Sequence, residues 1–327
     1  MSNITLPLDE LYAPIDAHLS RVMRLLDDEL RSDLLPVQAL CERLKGYRGK
    51  MLRPAMLLLT GQALGGVRDA HRTLAAVVEL VHLATLVHDD VLDEADMRRR
   101  SPTVNAMNGN EAAVMLGDYL ISHAFHLCSS LDSQHASRAI GRTTNTVCEG
   151  ELMQIHHRGD FNLSEREYFE IIRRKTAALT GTSCALGAHY AGADADVTGA
   201  LEKFGIDAGM AFQIMDDVLD LFGAEQKMGK TLGRDLELGK MTLPVIYCVS
   251  SGDARLRGQL LDLLDAGQSA PRDDLAAVLR SGGGLDYAVS TARDFVQRAL
   301  DCLAVLPDTP ARSSMVVMTE YIVHREQ

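Results

Sequence analysis

An all-α fold is predicted for this 327-residue chain, as one multi-helix domain over residues 1–327. Three observations carry the prediction. Apolar residues recur at three- and four-residue spacing over long stretches, the period of an amphipathic helix. Strand-like alternation bounded by turns is hard to find anywhere. The interruptions are short, and none is rich enough in Ser and Pro to act as an interdomain linker.

Taken in order, Leu11–Leu34 alternates apolar and charged residues at helical spacing, so residues 1–40 are expected to form N-terminal helices. Ala55–Leu64, Leu74–Asp93, Glu111–Leu127 and Ala139–His156 read the same way. Ser164 followed by Glu167 is a capping box, which should open a helix running through Ile171 to Thr176. Thr309-Pro310 fits an N-cap followed by Pro at the first helical position, starting the last helix toward Tyr321. Breaks fall at Gly46–Gly49, Gly65-Gly66, Arg98–Gly109, His157–Leu163, Gly223–Pro244 and Ser281–Gly284. The longest, Gly223–Pro244, carries Lys227, Lys230, Arg234 and Lys240 and is the best candidate for a functional loop.

Hydrophobic residues make up 46% of the chain, enough for a large core. Aromatics are only 5% and Trp is absent, so Leu, Ala, Val and Met, including Met51, Met56 and Met115, must fill it. A net charge of −12 excludes a basic nucleic-acid footprint over the whole molecule. The six cysteines are scattered with no Cys-x-x-Cys pair, which reads as buried free thiols in a reducing compartment. Met1–Glu10 lacks a basic start followed by an apolar run, so no secretory signal is visible. The most apolar stretch, Leu74–Val87, contains Glu79 and His82 and is too short to span a bilayer. A cytoplasmic protein is expected, with at most a transient membrane contact.

The pentapeptide Asp-Asp-Val-Leu-Asp occurs twice, as Asp89, Asp90, Asp93 and as Asp216, Asp217, Asp220, each time closing an apolar stretch. Carboxylates at i, i+1 and i+4 fall near one side of a helix, because each residue turns by ~100°. Three anions beside apolar surface are costly unless cations compensate them. Two such clusters point to two walls of one metal-rich anion site. Hard oxygen ligands suit Mg²⁺, which keeps waters and is usually completed by substrate phosphates. Direct cations lie next to breaks: Lys50 and Arg53, then Arg98 and Arg99, Lys175, Lys230 and Lys240. His82 shares the face of Asp89 two turns earlier, and Gln213 precedes Asp216 by three residues on the same face. Alone, His82 reads as a core histidine, Arg98–Arg100 as a solvated turn and Lys230 and Lys240 as an exposed loop. Their joint arrangement around the two clusters favours a site.

The segment from His82 to Arg100 resembles the first aspartate-rich motif of trans-prenyl diphosphate synthases, and Phe212–Asp220 resembles the second. Gly49-Lys-Met-Leu-Arg-Pro54, Lys175-Thr176, and Gly229–Asp235 followed by Gly239-Lys240 match the other motifs in order. The resemblance runs from about Arg43 to the C-terminus and is nearest to the long-chain branch. Met51 departs from a frequent Arg and Arg100 from a frequent Gly.

The resemblance implies the isoprenoid-synthase helical bundle with a central active-site cavity, and a homodimer in which the N-terminal helices take part. It implies three Mg²⁺, with Asp89, Asp93 and Asp216 as principal ligands and Asp90, Asp217 and Asp220 acting directly or from just behind. Arg98, Lys175, Lys230 and Lys240 would hold the diphosphate of an allylic substrate. Lys50, Arg53, His82 and Arg99 would bind that of isopentenyl diphosphate. Thr176 and Gln213 would steady the allylic cation formed when the diphosphate departs. Bulky aromatics at the positions of Ala84 and Thr85 stop the product early in this family. Both are small here, which implies a long all-trans product, octaprenyl or a neighbour, for quinone side chains. Met115 and Tyr119 are candidates for the tunnel floor. A farnesyl or geranylgeranyl synthase and a class I terpene cyclase are the nearest rivals. The second Asp motif and the Lys50/Arg53 pair argue against the cyclase. Glu79-x-x-His82 is half of a di-iron pattern and has no second half.

Overall fold

A computed structural model describes residues 8–99, 101–223, 233–251, 254–265 and 272–324. Among them the chain is helical almost throughout. The main helices are α1 (Asp16–Glu29), α2 (Leu35–Arg43), α3 (Leu52–Ala63), α4 (Asp69–Leu92) and α5 (Asn110–Ser129). They continue with α6 (Gln134–His156), α7 (Glu165–Ile172), α8 (Ala178–Ala191) and α9 (Ala195–Phe222). The last are α10 (Leu243–Ser251), α11 (Ala254–Asp265), α12 (Arg272–Ser281), α13 (Gly284–Cys302) and α14 (Pro310–Tyr321). The described residues form two compact units. One draws on Met1–Thr144, Leu179–Gly205 and Cys302–Met318, the other on Asn145–Ala178, Ile206–Asp301 and Thr319–Gln327.

In the first unit α4 is the interior helix. From Leu74 to Val81 no residue is more than 2% exposed, as expected of a helix that is apolar all round. It packs against α1, α3 and α5. Two glycines let its histidines in. A Cβ on Gly61 would stand 2.6 Å from the His71 ring, and one on Gly117 would overlap the His88 ring. The N-terminus of α4 is closed by buried His71, whose Nδ1 accepts the Arg68 N–H at 3.0 Å while its Nε2 donates to the Gly187 carbonyl at 3.0 Å. In the second unit α10 packs against α7, α11 and α12.

The sequence-predicted caps form. Ser164 Oγ accepts the Glu167 N–H at 3.3 Å while Glu167 Oε2 accepts the Ser164 N–H at 2.9 Å. Thr309 Oγ1 accepts the Arg312 N–H at 3.2 Å at the start of α14. Elsewhere the structure corrects the reading. The helix expected to run to Thr176 ends at Ile172 and continues as a π-helical turn over Arg173–Ala177. The break Arg98–Gly109 overlaps a small antiparallel pair, Met97–Arg98 with Ser101–Pro102, too short for a two-residue period to show. Cys41, Cys128, Cys184 and Cys248 are buried thiols, but Cys148 is exposed and Cys302 half-buried. Met115 is 65% exposed rather than core filler, because α5 turns Ala113, Leu116, Gly117 and Leu120 inward instead. No helix among the described residues is long and apolar enough to cross a membrane.

Candidate active site

Each pentapeptide closes a long helix. Asp89 and Asp90 lie in the last turn of α4 with Asp93 as its C-cap. Asp216, Asp217 and Asp220 occupy the last turns of α9. The C-terminal end of a helix carries the negative pole of its dipole and repels anions. Six carboxylates at two such ends are adverse unless cations answer them.

In the first unit Asp90 is 1% exposed, and both its oxygens are engaged. Oδ2 accepts the Tyr47 hydroxyl at 2.5 Å, and Oδ1 accepts Arg98 Nε at 2.9 Å and Nη2 at 2.8 Å. The Tyr47 oxygen in turn accepts the Val104 N–H at 3.1 Å. Burial and the Asp90 contact push the Tyr47 phenol up, so it stays a donor. Asp89 and Asp93 are partly exposed.

Three non-glycine residues of this neighbourhood adopt the left-handed region: Met51 at φ 52° opening α3, Glu94 at φ 47° directly after Asp93, and Arg99 at φ 48°. Such conformations are uncommon outside glycine and concentrate at functional sites. Gly49 makes room for Arg99, whose guanidinium a Cβ there would overlap. Lys50 is exposed, and its carbonyl accepts the Tyr12 hydroxyl at 2.7 Å.

Glu79, 2% exposed, lies one turn before His82. Burial pushes its carboxyl up, against the pull of Arg53, Arg99 and Arg48. Burial lowers the half-buried Arg53, and Glu79 opposes the shift. His82 is driven well below its ordinary value, first by burial and then by Arg53, Arg98 and Arg99. At neutral pH His82 is therefore a neutral imidazole, a hydrogen-bonding group rather than a cation. Ala84 is fully buried, and the Thr85 hydroxyl donates back to the His82 carbonyl at 2.8 Å.

In the second unit two hydrogen-bonded groups run through the expected residues. Lys175 Nζ donates to Gln154 Oε1 at 2.7 Å and pairs with Glu151. Next to it Thr176 Oγ1 donates to Gln213 Oε1 at 2.8 Å, and Gln213 Nε2 donates to Asp217 Oδ1 at 2.8 Å. The Tyr168 hydroxyl donates to Asp217 Oδ2 at 2.7 Å. Lys175 and Thr176 sit in the π-helical turn, a distortion frequent at functional sites. Glycines on two helices press against it. A Cβ on Gly150 would stand 2.5 Å from the Lys175 nitrogen, and one on Gly209 would stand 2.7 Å from Ala177 Cα.

Asp217 is 5% exposed, and its carboxyl is raised to about 8, mainly by burial and then by the Asp235 charge. Asp220, 2% exposed, accepts the Asp235 N–H at 3.2 Å and so caps the short turn Arg234–Glu237 from a distance. Lys240 is 9% exposed, and its Nζ stands 3.7 Å from Asp235 Oδ1. Lys230, like Lys227 and Arg100, lies outside the described residues.

Several residues of these networks escaped sequence reasoning: Tyr47, Tyr168, Glu151 and Gln154, with Glu79 weighed only as half of a metal pattern. The i, i+3 polar pair Glu151/Gln154 near the end of α6 was the one signal available. The tyrosines left none. Among the described residues no three carboxylate, imidazole or thiol groups already gather around one point. Hard oxygens at a helix end, few per ion, are a donor set that fits Mg²⁺ completed by water and phosphate oxygens.

A polyprenyl synthetase family profile matches residues 36–281. The octaprenyl diphosphate synthase of Escherichia coli is 32% identical over 301 residues, covering 92% of this chain and 93% of its own. The geranylgeranyl diphosphate synthase of Methanosarcina mazei is 34% identical, over 91% and 94% of the two chains. Among solved structures, a polyprenyl synthase from Caulobacter crescentus, complexed with calcium and isoprenyl diphosphate, superposes with a TM-score of 0.91. It is 33% identical over 98% of each chain. Matched in sequence and in fold over nearly its whole length, the chain belongs to the polyprenyl synthetase family and is a trans-prenyltransferase.

Proposed function

We propose that the protein condenses an allylic prenyl diphosphate with isopentenyl diphosphate to make a long all-trans polyprenyl diphosphate, octaprenyl or a neighbour, used as a quinone side chain. The observation that carries this reading is the pair of acidic motifs at the negative ends of α4 and α9, each with basic residues in its own surroundings.

Asp89, Asp93 and Asp216 would hold Mg²⁺ directly, three ions in all, with Asp90, Asp217 and Asp220 behind them. When bound, the ions stabilise negative charge on the departing diphosphate. Arg98, Lys175, Lys230 and Lys240 hold the allylic diphosphate in place. Lys50, Arg53 and Arg99 grip the diphosphate of isopentenyl diphosphate, with neutral His82 contributing a hydrogen bond rather than charge. The allylic C–O bond breaks, and its electron pair leaves with the diphosphate. The isopentenyl double bond attacks the allylic carbon, and the new cation loses a proton to the released pyrophosphate. Thr176 and Gln213, tied to each other by the Thr176 hydroxyl, would steady the developing positive charge.

Small Ala84 and Thr85 support a long product. The relationship to a geranylgeranyl synthase favours a shorter alternative. Chromatography of the product formed from farnesyl diphosphate, labelled isopentenyl diphosphate and Mg²⁺ decides. Chains beyond C20 support the long-chain reading, C20 alone supports the alternative, and no labelled product removes both. Ala84→Phe should shorten the product, and an unchanged length would defeat that placement. A homodimer is supported by α5, where Val114, Met115 and Phe125 are 41%, 65% and 38% exposed. Buried thiols at Cys41, Cys128, Cys184 and Cys248 suit a reducing cytoplasm.

A further inference from the structure

The middle carboxylate is handled alike in the two motifs. Asp90 and Asp217 are 1% and 5% exposed, while Asp89 and Asp216 beside them remain partly exposed. Each middle carboxylate has one oxygen on a tyrosine hydroxyl, Tyr47 at 2.5 Å and Tyr168 at 2.7 Å. The other oxygen is taken by a side chain of the same neighbourhood, Arg98 in one case and Gln213 in the other. The tyrosines come from different contexts. Tyr47 stands in the segment before α3, and Tyr168 on α7. Both rings are buried, each 3% exposed. Val104 N–H donates to the Tyr47 oxygen, so the phenolic proton is left for Asp90.

We propose that Tyr47 and Tyr168 are positioning residues: each hydroxyl locks the buried middle aspartate of its motif and thereby fixes the rotation of the helix end that presents the partly exposed aspartates, Asp89 and Asp93 in one motif and Asp216 in the other, to a metal–diphosphate complex. On a helix the residue before the middle aspartate is turned by ~100°, and the residue three after it by ~60° in the same sense. Pinning the middle carboxylate inward therefore aims Asp89 and Asp93 together, outward, and at the second motif it aims Asp216 outward, while Asp220 is itself buried against the Arg234–Glu237 turn. The lock also leaves both oxygens of the middle carboxyl group in protein hydrogen bonds, as buried polar atoms require. This inference rests on the metal-dependent prenyl transfer proposed above.

Tyrosine-to-phenylalanine variants keep the ring and remove only the hydroxyl. The probe is Mn²⁺ with inorganic pyrophosphate, titrated by the EPR signal of free Mn²⁺, with melting of the metal-free protein followed in parallel. Tyr168→Phe should lower the metal-free melting temperature by no more than about 4 °C. It should raise the half-saturating Mn²⁺ concentration by about 10-fold or more, as loss of a group that orients a metal ligand does. Because the hydroxyl acts through Asp217, Tyr168→Phe combined with Asp217→Asn should bind Mn²⁺ no more weakly than Asp217→Asn alone. Half-saturation within about twofold of wild type, or losses that multiply in the double variant, would overturn the proposal. Tyr47→Phe with Asp90→Asn runs the same cycle independently, should Tyr168→Phe not fold. A wild-type protein that binds no Mn²⁺–pyrophosphate would instead remove the functional reading beneath.

Discussion

The same five residues end α4 and α9, yet they keep different company. Asp90 is answered by a cation, since Arg98 meets one oxygen twice. Among the described residues Asp217 is answered by neutral donors, Gln213 and Tyr168, with the negative Asp235 near, and its carboxyl rises to about 8. The third aspartates diverge as well. Asp93 is partly exposed at the helix end, whereas Asp220 is buried and holds the start of the Arg234–Glu237 turn. A repeated motif therefore does not impose a repeated environment. The protein supplies part of the compensating charge at the first copy. At the second the described residues supply hydrogen bonds instead.

If both copies nevertheless serve the reaction, removing the leading carboxylate of either should be the most damaging change. Asp89→Asn and Asp216→Asn should each lower the steady-state rate of isopentenyl incorporation by on the order of 10³, the size seen when a group stabilising transition-state charge is lost. A large loss in one and none in the other would break the symmetry of role.

Gly150→Ala probes the second copy alone. Its methyl would stand 2.5 Å from the Lys175 nitrogen, and overpacking of this kind costs about 1–3 kcal/mol. Denaturant melts should show that cost, with a weakened allylic substrate KM as the π-helical turn shifts. Asp220→Ala should then cost about 1 kcal/mol as a helix cap is lost, while Asp93→Ala stays within about 0.5 kcal/mol. Equal losses would say that the third aspartates are equivalent after all.

The smallest contrast lies at the opposite ends of the two helices. α9 is capped by Asp194, which accepts the Val197 N–H at 2.9 Å, and α4 by buried His71. Burial lowers the His71 pKa, and protonating Nδ1 would set two N–H groups against each other. The unfolded chain takes that proton near pH 6.5 and the folded chain resists it. The His71 contribution is thus complete above about pH 6.5 and lost as pH falls below it, by at most about 1.4 kcal/mol per pH unit. Melting curves of wild type minus His71→Gln between pH 7.5 and 5.5 should show this slope, and a flat difference would contradict it.

The fold was legible where one physical signal dominated. The apolar stretch of α4, interrupted by Glu79, His82 and Thr85, announced a helix, and the Ser164/Glu167 and Thr309-Pro310 caps announced their helix starts within a residue. The acidic motifs and their basic neighbours were legible because charge beside apolar sequence is conspicuous. The π-helical turn was not, since nothing in Arg173–Ala177 departs from helical composition. The tyrosine locks were not either, since Tyr47 and Asp90 are 43 residues apart and Tyr168 and Asp217 are 49 apart, with no period to join them. The neutrality of His82 depends on burial and on three guanidiniums, neither of which a helical wheel contains.

The central claim is that both acidic motifs act on one leaving diphosphate. A double-variant cycle tests it most directly, by measuring labelled isopentenyl incorporation for Asp89→Asn, Asp216→Asn and their combination. Groups that act as a unit are strongly non-additive, so the double variant is predicted to fall within about tenfold of the worse single variant. Losses that multiply, to on the order of 10⁶, would show two independent sites and contradict the account.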